Sequence, residues 1–198
     1  MTAFVNHDNK IIFVHTPKTG GTSITDCMVG LSNLAQAEAV FGIPTKNIYY
    51  WDDDEGHATC KQLRDKFKDY DDYSSFTVMR EPYNWLVSMY EFKNKEKTTT
   101  FSRFVNNFYE TGECLQSHWF TNDGKIDVKI VIDFENLSES LHLYFELTSP
   151  LRKINTNNNQ RKNGYHYESK EVIKKATELL RPDLDMYEQL FAKRWQPC

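Results

Sequence analysis

The chain has 198 residues, of which 39% are hydrophobic and 14% aromatic. That suffices for one ordinary domain with a real core, expected as a single domain over residues 1–198, and it excludes a disordered chain. The formal net charge of -4 excludes the overall basic excess of a general nucleic-acid binder.

The cysteines are Cys27, Cys60, Cys114 and Cys198. They form no CxxC pair and no zinc-spaced cluster with histidine, so no metal is implied and thiols in a reducing compartment are expected. The opening MTAFVNHDNK has no apolar run of signal-peptide length. No stretch approaches the roughly 20 apolar residues of a membrane span. A cytoplasmic chain is therefore expected.

In chain order, Ile11-Ile12-Phe13-Val14 reads as a buried strand, the central one of its sheet. A glycine loop follows, and then a helical pattern with Ile24, Cys27, Met28 and Leu31 on one face. Ile48-Tyr49-Tyr50-Trp51 predicts a short strand, and Asp52-Asp53-Asp54-Glu55-Gly56 a polar turn. A helix is predicted over 57–67, with Ala58, Leu63 and Phe67 inward. The second strand, 76–79, runs into Arg80-Glu81-Pro82, where proline suits the first turn of a helix. That helix carries Trp85, Leu86, Met89 and Tyr90, and the next carries Phe101, Phe104, Val105 and Phe108. A third strand is predicted over 128–132, then a helix with Leu137, Leu141, Tyr144 and Phe145. Residues 148–167 read as a long polar loop, of the kind that is usually functional or disordered. Two further helices are predicted, over 168–180 and 182–193. Alternating strands and helices point to an α/β, P-loop-like three-layer fold with a mainly parallel central sheet flanked by helices.

The loop between the first strand and its helix reads Pro17-Lys18-Thr19-Gly20-Gly21-Thr22-Ser23. Loop N–H groups and a helix N-terminus together make an anion site. Two glycines let backbone approach a ligand, three hydroxyls add donors, and Lys18 adds a mobile charge. The lysine precedes the glycines, so this is not the phosphate loop of nucleoside triphosphatases. A plain strand-to-helix turn is the competing reading.

The heptapeptide after its strand resembles the 5′-phosphosulfate loop of sulfotransferases that use 3′-phosphoadenosine 5′-phosphosulfate (PAPS). FTVMREPYNWLVSMYEF, residues 76–92, is similar to that family's 3′-phosphate motif. Asp133-Phe134-Glu135-Asn136-Leu137 and the polar loop after it extend the likeness over most of the chain. Gly56-His57, between the two motifs, resembles the carbohydrate type, which includes the heparan and dermatan 2-O-sulfotransferases, where a histidine in such a context is the catalytic base.

The resemblance implies transfer of a sulfuryl group from PAPS to an acceptor hydroxyl, on a carbohydrate by first choice, leaving adenosine 3′,5′-bisphosphate. It implies that Lys18 meets the bridging oxygen of the donor. Pro17, Thr19, Gly20, Gly21, Thr22 and Ser23 would cradle the 5′-phosphate and sulfate. Arg80 and Ser88 would hold the 3′-phosphate, and the loop with Arg161 and Lys162 would close over the nucleotide. His57 is the candidate general base, since an imidazole accepts a proton near neutrality. His15, beside the loop, is its rival, and Glu135 a weaker one. His118 and His142 read as structural or surface residues. Trp51, Tyr83, Trp85, Trp119 and Phe120 are aromatic candidates for stacking, although aromatics at helical spacing are mostly core. The acidic run at 52–55 and the net charge disfavour a densely anionic acceptor. The alternatives are a small-molecule or nucleotide kinase with an unusual phosphate loop, which would need a metal ion, and a non-catalytic PAPS-binding module.

Overall fold

The computed structural model describes residues 3–29, 48–51, 57–145, 151, 167 and 169–192. The chain divides into two compact units. The first comprises Met1–Met79 and His118–Thr156, and the second Arg80–Ser117 and Asn157–Cys198.

The first unit is built on a five-stranded sheet. Its strands are β1 (Phe4–Asn6), β2 (Ile11–Phe13), β3 (Ile48–Tyr50), β4 (Ser74–Met79) and a later one, β7 (Ile130–Asp133), in the order β3-β1-β2-β4-β7. The expected strand at 11–14 is therefore central. β4 pairs in parallel with both β2 and β7, whereas β1 pairs antiparallel with β2 and β3. The sheet is thus mixed rather than mainly parallel. The cause is an N-terminal hairpin: residues 7–10 turn the chain back, with Asn6 Oδ1 accepting from Asn9 N–H at 3.0 Å and Lys10 at φ 53°.

β4 is buried from Ser75 to Met79, as a strand covered on both faces should be. Phe13 and Phe76 stack at 5.0 Å on neighbouring strands. Helix α1 (Gly21–Val29) adds Ile24, Cys27 and Met28 to this core, and a later helix, α6 (Leu137–Phe145), adds Leu137 and Leu141. Helix α2 (Cys60–Lys66) starts later than predicted, because Thr59 and Gln62 form a capping box that defines its first turn. His57 thus lies ahead of the helix rather than opening it. A short hairpin, β5 (Thr121–Asn122) with β6 (Lys125–Ile126), turns through left-handed Asp123 and Gly124. The Asp-Gly pair is its sequence signal.

The second unit is helical: α3 (Pro82–Lys93), α4 (Phe101–Asn106) and α7 (Lys170–Phe191). A four-residue helix, α5 (Ser117–Phe120), begins at its boundary. Its core gathers Trp85, Leu86, Met89, Phe101, Phe104, Phe108, Ala176 and Leu180. The two C-terminal helices predicted from sequence are one. Pro182 sits inside α7, where it removes a helical hydrogen bond and would ordinarily break the helix. Here Ala176, Leu180, Asp183 and Tyr187 form one buried stripe across it, and that shared face keeps the two halves in register. No helix among the described residues is long and apolar enough to cross a membrane. Cys27, Cys60 and Cys114 form no disulfide.

One ion pair ties α2 to the β6–β7 connection. Arg64 bonds both carboxylate oxygens of Asp127, at 2.9 and 2.5 Å, and reaches Asp71 at 2.9 Å. Its guanidinium lies 4.5 Å from the centre of the Tyr70 ring, and Tyr70 O–H donates to the Asp127 carbonyl at 2.9 Å. A lysine cannot reproduce this planar fork. Arg64→Lys should therefore cost about 1–2 kcal/mol, the size of a charge-assisted hydrogen bond, measured as a shift in urea midpoint at unchanged slope.

Candidate active site

The loop after β2 is held by short polar contacts. Val14 N–H donates to Phe76 O at 2.9 Å, Thr77 Oγ1 donates to Val14 O at 2.8 Å, and the Thr16 and Thr77 hydroxyls are 2.9 Å apart. Beyond them Lys18 and Gly20 are left-handed, at φ 64° and 82°, on either side of buried Thr19. The Thr19 hydroxyl donates to Thr16 O at 2.7 Å. It closes the turn, so of the three hydroxyls expected to serve a ligand this one is directed into the protein. Ser23 is buried and Thr22 half-buried.

Both glycines have steric reasons inside the protein. A Cβ on Gly20 would meet Leu137 Cδ2 at 3.2 Å and Phe134 Cε2 at 3.3 Å. A Cβ on Gly21 would lie 1.9 Å from His15 Nε2 and 2.5 Å from His15 Cε1. The imidazole of His15, 5% exposed, thus occupies the volume of a side chain at 21. Helix α1 starts there. Its first helical acceptor is Gly20 O, which takes Ile24 N–H at 3.1 Å. The N–H groups of Gly21, Thr22 and Ser23 precede that first helical bond.

His57 stands beside this loop. Its Nδ1 is 3.0 Å from His15 O. A carbonyl only accepts, so Nδ1 carries the proton and Nε2 is the basic nitrogen of the neutral ring. The two imidazoles are 4.3 Å apart at 45°. On another side Trp119 lies 5.4 Å from His57, and its indole N–H is buried and meets no acceptor among the described residues. Of the two rival histidines, His15 is buried against Gly21 and His57 is bonded through Nδ1. His118, His142 and Glu135 are exposed. Trp85 and Phe120 are fully buried and Tyr83 is 4% exposed, so these aromatics are core. Trp51 and Trp119 are half-buried.

Arg80 and Ser88 belong to the second unit, where Arg80, Asn84 and Ser88 succeed one another at helical spacing of four. Glu81, 5% exposed, caps α3 by accepting from Tyr83 N–H at 3.1 Å and Asn84 N–H at 2.8 Å. The main chain of Arg80 is bonded twice by Gln116: Arg80 N–H donates to Gln116 Oε1 at 2.9 Å, and Gln116 Nε2 donates to Arg80 O at 2.9 Å. Gln116 N–H and Ser117 N–H in turn donate to the Asp183 carboxylate, at 2.8 and 3.0 Å. Burial pushes the Asp183 carboxyl up from its ordinary range, opposed by hydrogen bonds from Ser117 and Gln116. Tyr167 O–H donates to Tyr83 O at 3.0 Å, and burial raises its phenol, helped by the charge of Glu81. Burial also pushes the Cys27 and Cys60 thiols up to about 11, so both are poor nucleophiles.

Asp52, Asp53, Asp54, Glu55 and Gly56 lie outside the described residues, as do Leu31, Arg161, Lys162 and nearly all of the 148–167 loop. No group of three or more His, Cys, Asp or Glu side chains among the described residues could hold a metal ion.

Over residues 1–193 the chain matches the sulfotransferase family model, and it belongs to that family. It is accordingly a transferase that moves a sulfuryl group. No curated protein and no solved structure matches it.

The His15–Gly21 contact makes a sharp expectation. Gly21→Ala should cost about 1–3 kcal/mol, the usual price of overpacking, in chemical denaturation. Adding His15→Ala should recover part of that loss, whereas additive losses would show that the two residues do not share the space.

Proposed function

We propose that this sulfotransferase uses PAPS as donor and a carbohydrate hydroxyl as acceptor, with His57 as general base. The observation that carries this reading is the hydrogen bond from His57 Nδ1 to the carbonyl of His15. It fixes the tautomer, so that Nε2 is the nitrogen able to take the acceptor's proton. The acceptor oxygen then attacks sulfur as the bond to the bridging oxygen breaks. The proton ends on His57 Nε2, and the electron pair of the broken bond leaves with adenosine 3′,5′-bisphosphate. The chemistry is in-line group transfer, for which the protein supplies position and charge.

Lys18 is assigned to the bridging oxygen. Its left-handed backbone at φ 64° costs about 1 kcal/mol in a residue other than glycine, and strain retained at a loop tip is a pointer to function. Pro17, Thr19, Gly20, Gly21, Thr22 and Ser23 form the P-loop-like cradle, through the N–H groups at the start of α1 and the hydroxyls of Thr22 and Ser23. That helix has no acidic residue in its first turn, which suits a phosphosulfate. Arg80 and Ser88 are assigned to the 3′-phosphate, and Arg161 and Lys162 to closure over the nucleotide. The family match runs through both units, which supports reading them as one catalytic domain. No metal ion is needed, because the donor is already activated.

Calorimetric titration with adenosine 3′,5′-bisphosphate tests the donor. Wild type should bind, and Arg80→Ala should bind about 10- to 100-fold more weakly, the worth of a hydrogen bond to a charged group. In PAPS turnover with a panel of neutral sugars, Lys18→Ala and His57→Gln should each lose about 100-fold or more in kcat while still binding the bisphosphate. Absence of bisphosphate binding by folded wild type would overturn the donor. Full turnover by His57→Gln would overturn the base.

A further inference from the structure

We propose that Gln116 and Asp183 are positioning residues that set the backbone of Arg80 for recognition of the 3′-phosphate. The inference rests on the assignment of Arg80 made above, and it adds two residues that no sequence motif marks.

The two side chains are the most completely enclosed polar groups around Arg80, each 0% exposed. Gln116 bonds the main chain of Arg80, and Asp183 takes two main-chain N–H groups besides its hydrogen bonds with the Ser117 and Gln116 side chains. The amide of Gln116 pairs with both the N–H and the C=O of Arg80, at 2.9 Å each. This is the double exchange by which a residue in an antiparallel ladder holds its opposite number. A side chain is thus standing in for a strand at the residue that follows the last position of β4. Asp183 stands behind Gln116. It accepts from Gln116 N–H and Ser117 N–H and so fixes the backbone from which the Gln116 amide projects.

Packing alone does not call for these residues. A buried carboxylate and a buried amide are costly to desolvate, and leucine or methionine would fill similar volume without that cost. What the polar pair adds is a defined φ and ψ for one residue. On the other side of that residue, Glu81 caps α3 and Pro82 opens it, so the next peptide is fixed as well. Arginine carries its guanidinium on a long stem, and a small rotation at its Cα moves the head group by more than hydrogen bonding to a phosphate tolerates.

The test compares two ligands that differ only in the 3′-phosphate: adenosine 3′,5′-bisphosphate and adenosine 5′-monophosphate, each titrated by calorimetry. Gln116→Leu should weaken the bisphosphate about tenfold or more and leave the monophosphate unchanged. In an Arg80→Ala background the same substitution should have no further effect. Gln116→Glu keeps the acceptor for Arg80 N–H but loses the donor to Arg80 O, so it should fall between wild type and Gln116→Leu. It also serves as the readout should Gln116→Leu not fold. Asp183→Asn retains one acceptor for two N–H groups and should reduce the same preference more mildly. Equal weakening of both ligands, or losses that add to Arg80→Ala, would overturn the proposal and leave Gln116 merely structural. If Arg80→Ala abolishes the preference but the Gln116 and Asp183 variants keep it, this inference alone falls. If wild type shows no preference for the bisphosphate, the 3′-phosphate assignment falls and takes the inference with it.

Discussion

The imidazole of His15 lies where residue 21 would carry a side chain, and much of the first unit follows from that contact. The ring can take this place only because the helix begins on a glycine. Once there, it sets how closely α1 approaches the end of β2, and therefore how tightly the loop between them must turn. The left-handed residues Lys18 and Gly20 and the inward Thr19 hydroxyl are the local solution to that turn. The carbonyl of the same histidine receives His57. One residue thus fixes both the loop proposed to hold the donor and the orientation of the proposed base. Its own Nε2 faces Gly21, which separates its part from that of His57.

The second unit solves a related problem by other means. Here no glycine is involved, and the residue to be placed is a long cation. The main chain around Arg80 is fixed by side chains: Gln116 on its own N–H and C=O, Glu81 on the first turn of α3. Buried polar groups that satisfy one another's main chain in this way specify a single backbone path where apolar packing would tolerate several. Pro182 belongs to the same picture. The helix that supplies Asp183 tolerates a missing hydrogen bond beside it because its buried stripe continues unbroken from Ala176 to Tyr187.

Strands and helices with strong patterns were legible. The run of β-branched and aromatic residues before the glycine loop, the apolar stretch before Arg80, and the proline at the start of α3 each have a local cause, and each appears where its pattern placed it. Misreadings arose where one local rule competed with another. Apolar spacing put a helix over 57–67, but the Thr59–Gln62 capping box, also local, decides its start. Pro182 predicted a break, but burial on a shared face outweighs one lost hydrogen bond. β1 is only three residues long, too short for alternation to register, and its antiparallel pairing changed the character of the sheet. The candidate site residues divide the same way. Lys18, Arg80 and the glycines sit in motifs that can be read in sequence. Gln116 and Asp183 are 67 residues apart and become neighbours only through the fold, so no spacing could have joined them.

The starts of α1 and α3 differ in a way that matters for anions. Every helix start presents a partial positive charge. At α3 that charge is already spoken for, because both carboxylate oxygens of Glu81 take up N–H groups of the first turn. An incoming phosphate there would meet a resident negative charge, so any affinity must come from side chains projecting beyond the cap. At α1 the first turn has no acidic residue and opens on glycine. The two phosphate sites proposed above are therefore two kinds of anion receptor. One is a backbone receptor whose charge cannot be titrated away. The other is a side-chain receptor, built over a self-neutralised helix end, whose strength can be tuned by substitution without disturbing the helix beneath it.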